Sequence, residues 1–171
     1  MAQRALAPGR LRPATAEDSA AIAAIYDHHV RHGTASFDSD GPNPEQWAAK
    51  IVDVQGRGWP FLVADQDGQA VAYAYATQFR DRPAYAWTCE NSIYVAPDAI
   101  GQGIGSRLLT ELIEQARASG FHQMIAVIGG GEPASVALHA KLGFIERGRM
   151  KDVGVKFGRT LDTVYMQRSL T

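Results

Sequence analysis

The chain is poor in the features that mark specialised proteins. It holds 1 cysteine, Cys89, so no internal disulfide can form. Lysine and arginine total 17 against 18 aspartate and glutamate, for a formal net charge of -1. That balance gives no footprint for nucleic acid or an anionic membrane. No apolar run approaches the length of a membrane span. Residues 1–8 lack the apolar stretch of a signal peptide and read as a flexible N-terminal tail. There is no internal repeat, low-complexity tract or linker, so residues 9–171 are expected to form a single domain. These absences point to the cytoplasm. They also make Cys89 a small buried strand residue rather than a nucleophile.

Hydropathy patterning supplies the elements. Leu11 and Arg12 begin a short strand. Thr15 reads as an N-cap with Asp18 three residues on. Ile22, Ile25, Tyr26, His29 and Val30 then make an apolar helical stripe that ends at Gly33. A polar loop around Phe37 leads to Pro44, which opens a second helix through Trp47 and Ile51. Residues 61–64 are a strand and Asp67-Gly68 a hairpin turn. In the following strand Val71, Tyr73 and Tyr75 face one side, and Ala70, Ala72, Ala74 and Ala76 the other. A long strand is expected over residues 85–95. Ile104, Leu108, Leu109, Leu112, Ile113 and Ala116 form an amphipathic helix, with Arg107 placed to pair with Glu111. Residues 124–128 are a continuous apolar run, as in a strand covered on both faces. Pro133 opens a short helix that Gly143 stops. Two last strands, 144–150 and 160–167, flank a loop over 151–159. The order βααβββαβαββ predicts a mixed α/β layer fold, a central sheet flanked by helices.

The segment from Ile93 to Ser106 reads as a strand, a glycine-rich turn and a helix start. Gly101, Gly103 and Gly105 let a ligand come close to the main chain. The first N–H groups of a helix beginning there have no partner and offer a seat to phosphate oxygens. A dinucleotide loop would need G-x-G-x-x-G early in a βαβ unit, and a nucleoside-triphosphate loop would need G-K-[ST]. Neither is present. The plain alternative is a turn that merely joins strand to helix.

The spacing resembles the acyl-CoA pyrophosphate loop of the GNAT superfamily of N-acetyltransferases, whose pattern is Gln/Arg-x-x-Gly-x-Gly/Ala. Gly103 and Gly105 match it, and Ile100 stands at the Gln/Arg position. Residues 87–95, 135–144 and 153–159, with Leu161-Asp162 and Met166-Gln167-Arg168, further resemble the phosphinothricin and methionine sulfoximine N-acetyltransferase branch, so the likeness spans nearly the full length. It implies the GNAT acyl-CoA N-acyltransferase fold, acetyl-CoA as co-substrate and no metal. It implies a small amino-acid-like acceptor of the phosphinothricin, methionine sulfoximine or methionine sulfone type, acetylated on its α-amino group by direct attack on the thioester. A homodimer with the C-terminal strands as interface is also implied. An acyl-CoA-binding regulatory module of the same fold, or an acetyltransferase for a peptide or aminoglycoside amine, stand as alternatives.

The same resemblance assigns roles. N-acetylation needs a neutral amine, and Glu90 is placed as the base that removes its proton. The Val95 N–H is placed to receive the charge that builds on the thioester oxygen. Ile93, Tyr94 and Val95 hold the acetyl and pantetheine end, and Gly101, Gln102, Gly103, Ile104, Gly105 and Ser106 the pyrophosphate. Glu132 stands where relatives grip the pantetheine arm with Asn, and an ionised Glu has no donor. His139 replaces a frequent Tyr, to donate a proton or hydrogen bond to the departing thiolate or to position the reacting groups. Arg80, Asp81 and Arg82 occupy the acceptor loop, Arg80 being suited to a carboxylate. Asn91 and Ser92 complete the acceptor side, and Ala86 stands where some members carry Arg. Phe37, Tyr85 and Trp87 line the pocket or belong to core or dimer contacts. Asp27, His28, His29 and His32 lack the spacing of a zinc site and read as a solvated helix end.

Overall fold

The computed structural model describes residues 9–171, and the expected tail over 1–8 lies outside the described residues. The element order is the predicted one. Strands β1 (Arg10–Pro13), β2 (Phe61–Gln66), β3 (Gln69–Gln78), β4 (Thr88–Val95), β5 (Gln123–Gly129), β6 (Ile145–Lys156) and β7 (Arg159–Ser169) make a 7-stranded sheet in the order β1-β2-β3-β4-β5-β7-β6. Among the described residues only the β4–β5 pair is parallel. Helices α1 (Ser19–His32) and α2 (Pro44–Gly56) pack on one face, and α3 (Ile104–Ala118) and α4 (Pro133–Lys141) on the other. Among the described residues no helix is long and apolar enough to cross a membrane.

Local chemistry sets the helix starts. The Thr15 N–H donates to Asp18 Oδ2 at 2.8 Å, and Arg12 donates to both oxygens of the same carboxylate at 2.8 Å. Ahead of α2, Asn43 Oδ1 accepts from the Gln46 N–H at 2.8 Å while Gln46 Oε1 accepts from the Asn43 N–H at 2.9 Å, a reciprocal capping box. The two sheet faces are filled differently. Trp47, Ile51 and Val54 of α2 and Ile22 and Ile25 of α1 bury against Phe61, Val63, Tyr73 and Tyr75. On the opposite face Ala72, Ala74 and Ala76 leave room for α3, whose Leu108, Leu109, Leu112 and Ile113 are buried. Each large side chain so removed from water contributes about 1.5–3 kcal/mol.

Several expectations need correction. The alternation in β3 slips at Val71: Ala64 pairs with Ala72 but Asp65 with Ala70, so Val71 is an extra residue. Ala70 therefore joins the tyrosine face and Val71 the alanine face. The long strand expected from residue 85 begins only at Thr88, because Pro83–Tyr85 forms a 3-10 turn that Pro83 initiates. Trp87 is 67% exposed and stacks on His122 with ring centroids 4.6 Å apart. The loop expected over 151–159 is mostly strand: β6 and β7 continue, past a bulge, to a tight turn at Phe157-Gly158. Arg107 donates to the Gly9 carbonyl at 2.8 Å rather than pairing with Glu111, whose carboxylate accepts from Gln115. Finally, β5 is covered on one face only. Met124, Ala126 and Ile128 are buried, and the half-buried Val127 lines a cavity.

Candidate active site

The site is built where β4 parts from β5. Pairing of β4 with β3 runs from Gln78–Cys89 to Ala72–Val95. Pairing with β5 covers only Thr88–Gln123, Cys89–Met124 and Glu90–Ile125, while β5 itself stays paired with β7 out to Gly129. The Ala96 N–H donates to the Val71 carbonyl at 2.8 Å, and the Phe79 N–H to the Thr88 carbonyl at 2.9 Å. Bonded positions alternate along an antiparallel ladder. The even-numbered residues of β4 therefore bond to β3, and the odd-numbered ones face β5. Beyond the last β5 pair, the N–H groups of Ile93 and Val95 open on a gap in the sheet. The Val95 carbonyl on the same side is taken by His29 Nε2, 2.8 Å away.

Two cavities meet in this gap. The larger, about 510 Å³, runs from Ile93, Tyr94 and Val95 to the start of α3, where Gly101, Gly103, Ile104, Gly105 and Ser106 line it. The smaller, about 130 Å³, is lined by Glu90, Asn91, Ser92 and His139 among others. Ala35, Ile93, Tyr94 and Ser135 border both. The segment between α1 and α2 closes one end: Lys156 Nζ donates to the Ser36 carbonyl at 2.7 Å, and the Tyr26 hydroxyl donates to Asp38. Gly129 permits this approach, since a Cβ there would stand 2.7 Å from the Ala35 carbonyl oxygen.

The glycine turn has the geometry of an anion seat. Gly103 precedes α3 with φ of 74°, a conformation that glycine adopts freely. The first helical bond is from the Arg107 N–H to the Gly103 carbonyl at 3.2 Å. Among the described residues the N–H groups from Gly101 to Ser106 have no backbone acceptor outside the helix ladder. A diphosphate group placed there would meet several free donors at the positive end of a helix.

Comparison with known proteins agrees with this geometry. The family model for the acetyltransferase (GNAT) family matches residues 22–144. The chain belongs to the GNAT family. A phosphinothricin N-acetyltransferase of Alcaligenes faecalis is 50% identical over 155 residues, 90% of this chain and 79% of that protein. An L-methionine sulfoximine/L-methionine sulfone acetyltransferase of Salmonella typhimurium is 39% identical over 94% of each chain. The crystal structure of a phosphinothricin acetyltransferase from Sinorhizobium meliloti in complex with acetyl-CoA superposes with a TM-score of 0.92, at 46% identity, covering 95% of this chain and 89% of that one.

The GNAT frame brings most, but not all, of the expected residues together. Glu90 lines the smaller cavity, and Arg80 Nη1 stands 3.7 Å from its carboxylate. Burial pushes the Glu90 carboxyl above its usual range, and the positive charges of Arg80 and Lys50 pull it partly back. Lys50 of α2, which the sequence reading passed over, lies 4.5 Å from the Tyr75 ring centre. Asn91 Nδ2 is 3.0 Å from His139 Nε2, although 48 residues separate them. Glu132 lines the larger cavity but uses its carboxylate to cap α4, accepting from the Ser135 N–H at 2.9 Å.

Other expected residues stand apart. The Gln102 side chain turns back to the Asp98 carbonyl at 3.2 Å and to Gln66, so only its main chain remains for a ligand. Asp81 and Arg82 lie on an exposed turn outside both cavities. Phe37 rests against Gly154 of β6, and Tyr85 packs edge-on to Phe79 at 5.6 Å. His29 is not part of a solvated helix end. It lies on the inner stripe of α1, lines the larger cavity and holds the Val95 carbonyl. Its place in that apolar stripe was the signal the sequence carried. Among the described residues, no group of His, Cys, Asp and Glu could hold a metal ion.

Proposed function

We propose that this chain transfers the acetyl group of acetyl-CoA to the α-amino group of a small amino-acid-like acceptor, of the phosphinothricin, methionine sulfoximine or methionine sulfone type. One observation carries the reading: a long groove ending in free helix N–H groups opens, through a gap in the sheet, onto a small polar cavity that holds a half-buried carboxylate. The groove suits an extended cofactor with a diphosphate at one end and an acyl thioester at the other. Gly101 to Ser106 take the diphosphate, and Ile93, Tyr94, Val95 and Glu132 flank the arm.

Glu90 removes a proton from the acceptor ammonium, its raised pKa making it a better base than an exposed carboxylate. The amine nitrogen bonds to the thioester carbon, the carbon–sulfur bond breaks, and the second proton lost by the nitrogen goes to the departing sulfur, so CoA leaves as the thiol without an acyl-enzyme. The Val95 N–H, open to the gap, receives the negative charge on the thioester oxygen. Arg80 grips the acceptor carboxylate, with Asp81 and Arg82 behind it on the turn and Ser92 on the cavity wall. The domain spans residues 9–171 and works in the cytoplasm. It pairs as a homodimer, a state favoured by the exposed Ile145, Met150, Val153 and Val155 on edge strand β6 and by the exposed Phe157 in the turn that follows it.

The test is release of free thiol from acetyl-CoA over a panel of amino acids that includes phosphinothricin, methionine sulfoximine and methionine sulfone. Turnover with one of these supports the reading. Turnover only with a peptide or an aminoglycoside would replace the acceptor class, and acetyl-CoA binding with no turnover would favour a regulatory module.

A further inference from the structure

Asn91 and His139 are buried, at 6% and 2% exposure. Their hydrogen positions follow from their partners. His139 Nδ1 lies 2.8 Å from the Ser135 carbonyl oxygen, which can only accept, so Nδ1 carries a hydrogen. Burial lowers the pKa of the ring below its usual value, more than the Ser135 bond raises it. The ring is therefore neutral at pH 7 and Nε2 carries a lone pair. Only the NH2 of the Asn91 amide can face that lone pair at 3.0 Å. The other end of the amide is fixed in consequence. Asn91 Oδ1 is buried without a partner among the described protein groups, and Asn91 is one of the residues that line the 130 Å³ cavity beside Glu90. A buried carbonyl oxygen without a donor is costly, so such an atom next to a cavity calls for one from a ligand.

We infer that Asn91 Oδ1 receives an N–H of the acceptor's amine, and that His139, in its Nδ1–H tautomer, is a positioning residue that locks the amide in that orientation. This rests on the acetyl-transfer reading and assigns an atom to it. Glu90 and Asn91 are consecutive on β4 and project from opposite faces of the sheet, yet both line the one cavity. Glu90 takes a proton, and Asn91 holds an N–H that stays behind, which aims the nitrogen lone pair at the thioester carbon. With both ring nitrogens engaged, His139 has no proton free to give the leaving thiol. The acceptor class that fits is a primary amine, which keeps two N–H groups after deprotonation.

The experiment uses the full chain with methionine sulfone and acetyl-CoA. Asn91→Leu and His139→Leu each raise the acceptor KM about tenfold or more and leave the acetyl-CoA KM within about twofold. His139→Gln, whose side-chain carbonyl can accept from the Asn91 NH2, restores the acceptor KM to within about threefold and keeps kcat. Nitrogen-15 NMR of the imidazoles places the His139 hydrogen on Nδ1 at pH 7. A hydrogen on Nε2 overturns the inference. So does an unchanged acceptor KM in folded Asn91→Leu, or a rise confined to the acetyl-CoA KM. Loss of kcat at constant KM in His139→Gln also overturns it, because that is the signature of a proton donor. If the wild type releases no thiol with any amine, the transfer reading falls. Calorimetric binding of methionine sulfone to wild type and Asn91→Leu, both with CoA present, then decides the Asn91 assignment separately.

Discussion

Arg80 Nη1 stands 3.7 Å from Oε2 of Glu90, the last β4 residue paired with β5 and one that lines the smaller cavity. The guanidinium also lies 4.0 Å from the centre of the Phe79 ring, which holds it in place. A carboxylate partly removed from water thus has a cation beside it. Burial raises its pKa and the cation opposes that rise.

The pH dependence follows with its sign. In the proposed base role Glu90 works when ionised, so kcat/KM is expected to rise with pH through its raised pKa and then level. Arg80→Met removes a charge that favours the ionised form, so the acid limb moves to higher pH and the acceptor KM rises. A pH–rate profile checks both. Glu90→Gln lowers kcat by roughly 10²–10⁴-fold with acetyl-CoA affinity unchanged by calorimetry. A group with a raised folded pKa loses stability as pH climbs from its unfolded to its folded value. Glu90→Gln is therefore expected to melt higher than wild type above that window.

Gly103 and Gly105 separate stability from binding. Gly103→Ala places a side chain at φ of 74°, in the left-handed region, at a cost of about 1–2 kcal/mol. The melting temperature should fall by about 2–4 °C per kcal/mol for a chain of this size. In Gly105→Ala the new Cβ meets Leu138 Cδ2 at 3.6 Å and Val95 Cγ2 at 3.7 Å, ordinary contact distances. That variant should melt within a degree or so of wild type and bind acetyl-CoA more weakly, because the methyl group stands on the groove wall. Melting curves and calorimetry on both variants check this.

Acetyl-CoA should stabilise the fold by mass action. At a hundredfold excess over Kd the gain is about 2.7 kcal/mol, or roughly 5–10 °C in Tm. An unshifted Tm at saturating acetyl-CoA would remove the groove from its assigned role.

Cys89 is fully buried, and burial pushes its thiol up to about 12. The native protein should resist a thiol-directed disulfide reagent at pH 8 and react at once in denaturant. Absorbance titration checks it, and the same inertness lets such a reagent report CoA release without background from the chain.

The sequence by itself determined the order of elements, the helix starts at Thr15 and Pro44, the stops at Gly33 and Gly143, and the glycine turn. Each depends on neighbours within about one helical turn or one strand pleat. The placement of Glu90, Val95 and the stretch from Gly101 to Ser106 along one strand and its following turn was legible for the same reason, while the roles proposed for them came from the family resemblance. Only the tertiary structure decided what lies across from them. The parting of β4 from β5 after Glu90, the Asn91–His139 bond, the hold of His29 on Val95 and the Lys50 charge near Glu90 join positions far apart in the chain. Such pairings are fixed by strand register and packing, and the local periodicity of a sequence does not record them.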